Sequence, residues 1–130
     1  PDEGDVARLK AEFLERVEAL CDRSLQVAGA LETRRVSKRV IDQLVGSGTS
    51  VGANVFEADE AMSRKDFVKC LCITVKELNE TRFWIRLIGR QGWIKPDRLK
   101  GLEDEVLELK RILGTMIARS MKPRARTSGI

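Results

Sequence analysis

The chain has 130 residues, of which 42% are hydrophobic and 34% charged, with no tyrosine, no histidine and a formal charge of +4. That length supports one domain with its own core and excludes two of ordinary size. Few aromatic residues beside many aliphatic and charged ones favour long amphipathic helices over a sheet.

No apolar run approaches the roughly 20 residues that cross a bilayer, and the opening PDEGDV lacks the basic and apolar regions of a signal peptide. The expectation is a cytoplasmic chain with no membrane association. Cys21, Cys70 and Cys72 are read as free thiols, since two of them are too close on one helix to bridge easily. The charge is local. Arg119, Lys122, Arg124 and Arg126 lie in a terminal stretch without an acid, and the rest of the chain holds 20 basic and 20 acidic residues.

The first predicted helix spans Asp5 to Leu31, where Leu9, Phe13, Val17, Leu20, Ser24, Val27 and Leu31 recur at steps of three or four. Thr33 is the expected N-cap of a second, with the stripe Val36, Val40, Leu44, Gly48, Val51, Val55, Ala58 and Met62. Ser63 and Asp66 form a variant capping box that opens a third, which carries Phe67, Leu71, Val75, Leu78, Ile85 and Ile88. Gly89 and Gly92 stop it. After the turn WIKPD, Asp97 is expected to cap a fourth helix, lined by Leu99, Leu102, Val106, Leu109, Leu113 and Met116.

Four such segments joined by short turns predict an all-α, antiparallel, up-down-up-down bundle over residues 1–121, followed by a basic, disordered tail over 122–130.

The glycine-rich run GSGTSVGANVFEADEA within helix two is the one motif that evokes a phosphate loop. A P-loop needs Lys and then Ser or Thr after its last glycine, but Ala53 and Asn54 follow Gly52. A dinucleotide fingerprint fails at Val51, and no strand-like run precedes either pattern. The glycines are therefore read as positions of close helix approach. Each costs about 1 kcal/mol relative to alanine, so a kink or irregular turn is expected near Gly48 to Gly52.

The string SGTSVGANVFEADEA, followed by SRKDF and KELNETRFWIRLI, resembles the small four-helix-bundle family of proteins encoded by intervening sequences in bacterial 23S ribosomal RNA genes. It is also similar to the accessory variability proteins of diversity-generating retroelements. The resemblance covers about Leu9 to Ser120. It implies a ring-shaped homopentamer without a known catalytic centre, and for retroelement members it implies binding to nucleic acid and to a reverse transcriptase. The matched structural motif comprises Gly48, Ser50, Gly52, Asn54, Glu57, Glu77, Glu80 and Trp84.

Asn54 and Glu57 on helix two, and Glu77, Asn79 and Glu80 on helix three together with Thr81 and Arg82, read as an inter-helix or inter-subunit hydrogen-bond network, because an unpaired buried polar group costs roughly 1 to 3 kcal/mol. The competing reading, a carboxylate metal site, lacks the histidines of ferritin-like centres. No metal or other cofactor is expected. Nucleophilic catalysis lacks its usual histidine base, so the chain is read as a non-enzyme, with Cys21 and Cys70 as small apolar fillers.

The candidate nucleic-acid-binding residues are Arg34, Arg35, Lys38 and Arg39 at the start of helix two, and Arg119, Lys122, Arg124 and Arg126 at the end of the chain. Arg34 to Arg39 also read as a solvated face beside a helix C-terminus, where positive charge is favoured. The antiparallel topology puts the two groups at opposite ends. Arg82, Arg86 and Arg90 form a ladder beside Trp84; base stacking there competes with a reading of Trp84 as an interface or core anchor. Trp93 is expected to cover the bundle end. Copied around a ring, even weak basic patches multiply phosphate contacts. RNA or DNA is thus the expected partner, and a protein-interaction scaffold is the alternative.

Overall fold

The computed structural model describes residues 9–122. Four helices follow in chain order: α1 Ala11–Thr33, α2 Lys38–Asp59, α3 Arg64–Arg90 and α4 Pro96–Met121. Each packs on its two neighbours around a square, α4 closing back on α1 along the thinnest seam. Specific pairs fix the direction. Ser24 faces Gly48 and Cys21 faces Gly52, so numbers fall along α1 as they rise along α2. Leu99 beside Gly89, and Glu103 beside Arg82 and Arg86, give the same antiparallel sense to α3 and α4.

The apolar periodicities become the core. Phe13, Val17, Leu20 and Leu31 from α1 meet Leu44, Val51 and Val55 from α2, Leu71, Leu78 and Ile85 from α3, and Leu102, Val106 and Leu109 from α4, all buried. Removing so much aliphatic surface from water is the main driving force for the fold.

The two halves of the bundle are joined by different chemistry. Where α1 meets α2, a methyl group added to Gly48 would lie 2.7 Å from Ser24 Cβ, and one added to Gly52 would lie 2.7 Å from Cys21 Sγ. The glycines therefore let the two backbones approach, and the Cys21 thiol donates to the Gly48 carbonyl at 3.2 Å. The helices of α4's seams are instead clipped by ion pairs. Arg16 of α1 grips Glu105 with two bonds of 3.0 and 2.8 Å, and Arg82 and Arg86 of α3 share Glu103.

Several expectations need correction. α2 runs unbroken through Gly46 to Gly52, with no irregular turn, because tertiary packing of Gly48, Val51, Gly52 and Val55 holds a locally weak helix in register. Thr33 is the last residue of α1, not a cap; its hydroxyl donates back to the Gly29 carbonyl at 3.1 Å, and Ser37 takes the N-cap position of α2 without a side-chain bond. Met62 lies beyond the end of α2 and is 85% exposed, while Ala61 beside it is buried. Asp97 sits in the first turn of α4, after Lys95 as N-cap and Pro96, whose fixed φ suits the first helical position. Leu9 and Lys10 precede α1, and Asp5 to Arg8 lie outside the described residues. The Ser63 cap is as expected: its hydroxyl accepts from the Asp66 N–H at 3.1 Å.

Candidate nucleic-acid interface

The turn after α1 and the turn after α3 lie at the same end of the bundle, and both close by the same geometry. After α3, Gly92 adopts φ +74°, its N–H reaches the Gly89 carbonyl, and the Trp93 N–H reaches Ile88. After α1, Arg35 adopts φ 57°, its N–H reaches the Glu32 carbonyl, and the Val36 N–H reaches Leu31. Both are Schellman closures, in which the left-handed position normally goes to glycine. After α1 that position is occupied by Arg35, at a steric cost of roughly 1 to 2 kcal/mol.

The two turns are tied together. Arg34 Nη1 donates to the Trp93 carbonyl at 2.6 Å across 59 residues of sequence, and Trp93 and Ile94 pack half-buried against the core. Around this link stand Arg35, Lys38 and Arg39 from the first connection and Arg90, Lys95 and Arg98 from the second, all exposed. Among the described residues neither these six nor Arg34 takes part in an ion pair. Glu32, Asp42 and Asp97 are the acids closest to them in sequence, Asp42 standing one helical turn from Lys38 and Arg39. A surface with so many unneutralised cations at one end of a molecule carries the positive potential that attracts phosphates.

The sequence had placed only the first four of these cations together. Arg90, Lys95 and Arg98 join them because the antiparallel topology returns the chain to the same end. The signal available beforehand was the run of basic residues flanking the WIKP turn, which needs the topology before it means anything.

Arg119 near the end of α4 and Lys122 at its C-cap are exposed at the opposite end, and Arg124 and Arg126 lie outside the described residues. Arg119 lines a cavity of about 610 Å³ between α1 and α4, whose walls are Leu9, Phe13, Phe67, Ile112 and Met116. Charge is mixed at this end: Glu12, Glu60 and Asp66 are interspersed with Lys10, Arg64 and Lys65, all exposed.

The other motif residues are distributed over α2 and α3. Gly48 and Gly52 are buried at the α1 seam, while Ser50, Asn54, Glu77 and Trp84 are half-buried and Glu57 and Glu80 exposed. The polar bonds of Asn54 and Trp84 stay within their own helices: Asn54 Nδ2 donates to the Ser50 carbonyl and Trp84 Nε1 to Glu80 Oε2. The hydrogen bond that crosses from α2 to α3 belongs to two residues outside the motif, the buried hydroxyls of Ser47 and Thr81, 3.0 Å apart. Burial and the neighbouring Glu80 push the Glu77 carboxyl up, against a smaller lowering by Lys76. Arg82 and Arg86 of the ladder are held by Glu103, whereas Arg90 is left for the basic end.

The family model for the 23S rRNA-intervening sequence protein matches residues 10–115. The chain belongs to that family. A solved structure similar to this chain, described as a protein of unknown function from the S23 ribosomal protein family of Bacteroides thetaiotaomicron, has a TM-score of 0.77 at 30% identity and covers 81% of this chain and 97% of its own. No curated protein matches. Among the described residues of this family member, no helix is long and apolar enough to cross a membrane.

Proposed function

We propose that this protein is a non-enzymatic accessory module that binds RNA or DNA weakly and without sequence preference, through phosphates, at the end of the bundle formed by the α1–α2 and α3–α4 turns. The observation that carries the reading is the gathering there of exposed, unpaired cations from two distant segments, including Arg35 in a backbone conformation that glycine would adopt more easily. Left-handed non-glycine residues persist where something other than local stability favours them. Phosphate contacts position a nucleic acid without reading its bases, which suits a surface of arginines and lysines.

The protein acts, in this reading, as a ring-shaped homopentamer in the cytoplasm. A ring would set five basic ends side by side, and affinity rises steeply with the phosphates neutralised. Arg119, Lys122, Arg124 and Arg126 would add a second contact at the other end, and a reverse transcriptase is the protein partner that the retroelement resemblance suggests. The chain's lack of histidine supports the non-enzymatic part of the proposal.

Filter binding of labelled single-stranded RNA and duplex DNA at low and moderate salt tests this. Retention at low salt that falls as salt rises is expected; no retention at either salt defeats it. The second reading, a protein-interaction scaffold, is favoured by the edge-to-face pair of Phe83 and Trp84 on α3, with ring centroids 4.9 Å apart and Phe83 52% exposed. It predicts recovery of a protein partner and no salt-sensitive retention.

A further inference from the structure

α1 and α4 meet along the thinnest seam of the bundle. The Arg16–Glu105 pair clips that seam, and beyond it, toward the start of α1 and the end of α4, the two helices part around the cavity of about 610 Å³. That volume falls within the roughly 300 to 1,000 Å³ of ordinary small-molecule sites. Phe13 and Phe67 are the buried part of its lining, and Leu9, Ile112 and Met116 the half-buried part.

The order of the lining residues gives the cavity two unlike ends. On α4, Ile112, Met116 and Arg119 follow at steps of four and three and so share a face. On the α1 side, Arg16, Phe13 and Lys10 recede in the opposite direction. The antiparallel sense therefore puts Arg16 at the inner end, the apolar side chains in the middle, and Lys10 with Arg119 at the outer end, both exposed to solvent.

Charge differs between the ends as well. Arg16 and Arg111 are held by Glu105 and Glu108 through two bonds each, so these four side chains balance one another. Among the described residues Lys10 and Arg119 take part in no ion pair, and Glu12 is the one acid of the lining. Two free cations against one acid leave a surplus of one positive charge. The hollow of about 480 Å³ between α1 and α2 differs in kind: its charged residues are Glu18 and Asp22, without a cation.

We propose that the α1–α4 cavity binds a small amphipathic monoanion, a carboxylate on an unbranched apolar tail of the fatty-acid class. The tail lies among Phe13, Phe67, Ile112 and Met116, and the carboxylate stays at the outer end, where Arg119 and Lys10 donate to it. A guanidinium fork matches the two oxygens of a carboxylate, and an ammonium adds a point charge. Met116, unbranched and adaptable, follows the shape of the tail. An uncharged amphiphile would leave the free cations unanswered, and a cationic one would be repelled by them. This goes beyond the nucleic-acid reading and does not rest on it, since the cations that carry that reading stand at the other end of the bundle.

The test is calorimetric titration of the full chain with hexanoate, octanoate and decanoate, with decanol as the uncharged comparison. Affinity is expected to rise about threefold for each added methylene, the gain from burying it, and decanoate is expected to bind more tightly than decanol. Lys10→Gln/Arg119→Gln is expected to weaken decanoate about fivefold, the upper range for exposed charge pairs, and to leave decanol unchanged. Met116→Trp, which fills the cavity, is expected to weaken both. No binding of decanoate at about 1 mM overturns the site. Equal binding of decanoate and decanol, or equal losses in the double variant, overturns the anion class. Should Met116→Trp fail to fold, the methionine methyl resonances of the unaltered chain decide: the Met116 signal is expected to shift as decanoate is added, and a Met116 signal that stays in place overturns the site. None of these outcomes bears on the retention of nucleic acid.

Discussion

Side-chain volume at single positions decides how closely α1 and α2 can lie. The space around Gly48 is filled by Ser24, with Cβ and Oγ at 2.7 and 2.8 Å from where a methyl group would stand, whereas Gly46, two residues earlier on the same helix, has nothing within 4 Å. Gly48→Ala should therefore destabilise the fold by about 1 kcal/mol or more, overpacking outweighing the better helix propensity. Gly46→Ala should stabilise it by about 0.5 to 1 kcal/mol, and a melting temperature resolves a shift of about 4 °C per kcal/mol. Equal effects at the two sites would show that close approach is not what Gly48 provides. Arg35 poses the reverse case. Arg35→Gly should gain about 0.5 to 1 kcal/mol by relieving the left-handed strain, yet lower nucleic-acid retention at low salt; a variant that gains stability and binds as before would show the arginine to be incidental. The role of Gly48 and Gly52 was legible in the sequence, because the failure of both phosphate-loop patterns left close packing, but Gly46 was read the same way and faces open space. The conformation of Arg35 was not legible, since a positive φ on an arginine has no compositional sign.

Helix boundaries show where local chemistry is enough and where it is not. Ser63 and Asp66 announce α3 within four residues, and the bond between them is made as the motif requires. Thr33 looks equally good as a cap, but the Schellman closure at Arg34 to Val36 moves the start of α2 to Ser37 and leaves the Thr33 hydroxyl for its own helix. Thr81 was legible as part of the polar cluster on helix three, but its partner Ser47 was not, since that hydroxyl also reaches the Leu44 carbonyl of its own helix and carries no sign of the cross-helix bond. Between elements, carboxylates at the seams tune stability in opposite directions with pH. Burial pushes the Glu103 carboxyl up, but hydrogen bonds from Arg82 and Arg86 more than offset it, so it lies below the ordinary glutamate range. Its contribution is present above about pH 4.3 and is lost as pH falls through its lowered value. Glu77, raised by burial and Glu80, binds its proton more tightly folded than unfolded, so the fold loses stability as pH rises from about 4.3 through that raised value. Glu103→Gln should thus lower stability near neutral pH by up to about 1 kcal/mol and flatten its fall in acid, while Glu77→Gln should raise it near neutral pH. Chemical unfolding at about pH 4 and about pH 7 reads both. Identical pH profiles for the two variants would remove the assigned causes.

Across the whole molecule the distribution of charge becomes directional. α3 has 27 residues and so separates the two ends by about 40 Å at the helical rise, several times the roughly 8 Å over which salt screens a charge at physiological strength. The ends therefore act independently, and variants at each can be compared. Lys38→Gln/Arg39→Gln/Arg98→Gln removes three cations from the turn end while sparing Arg34, which holds the Trp93 carbonyl and with it the two turns. Arg119→Gln/Lys122→Gln removes two cations from the other end, where acids already stand among the bases. If phosphates are bound at the turn end, the first variant should flatten the dependence of log affinity on log salt by about 2 to 3 for duplex DNA, close to one unit per lost contact. The second should change it by less than about 1. A reversed order would move the interface to the α4 end and make the clustering of Arg90, Lys95 and Arg98 with the first turn a matter of solubility alone. Equal, large losses would mean that one nucleic-acid strand spans the length of the bundle, a path that must cross its mixed-charge sides.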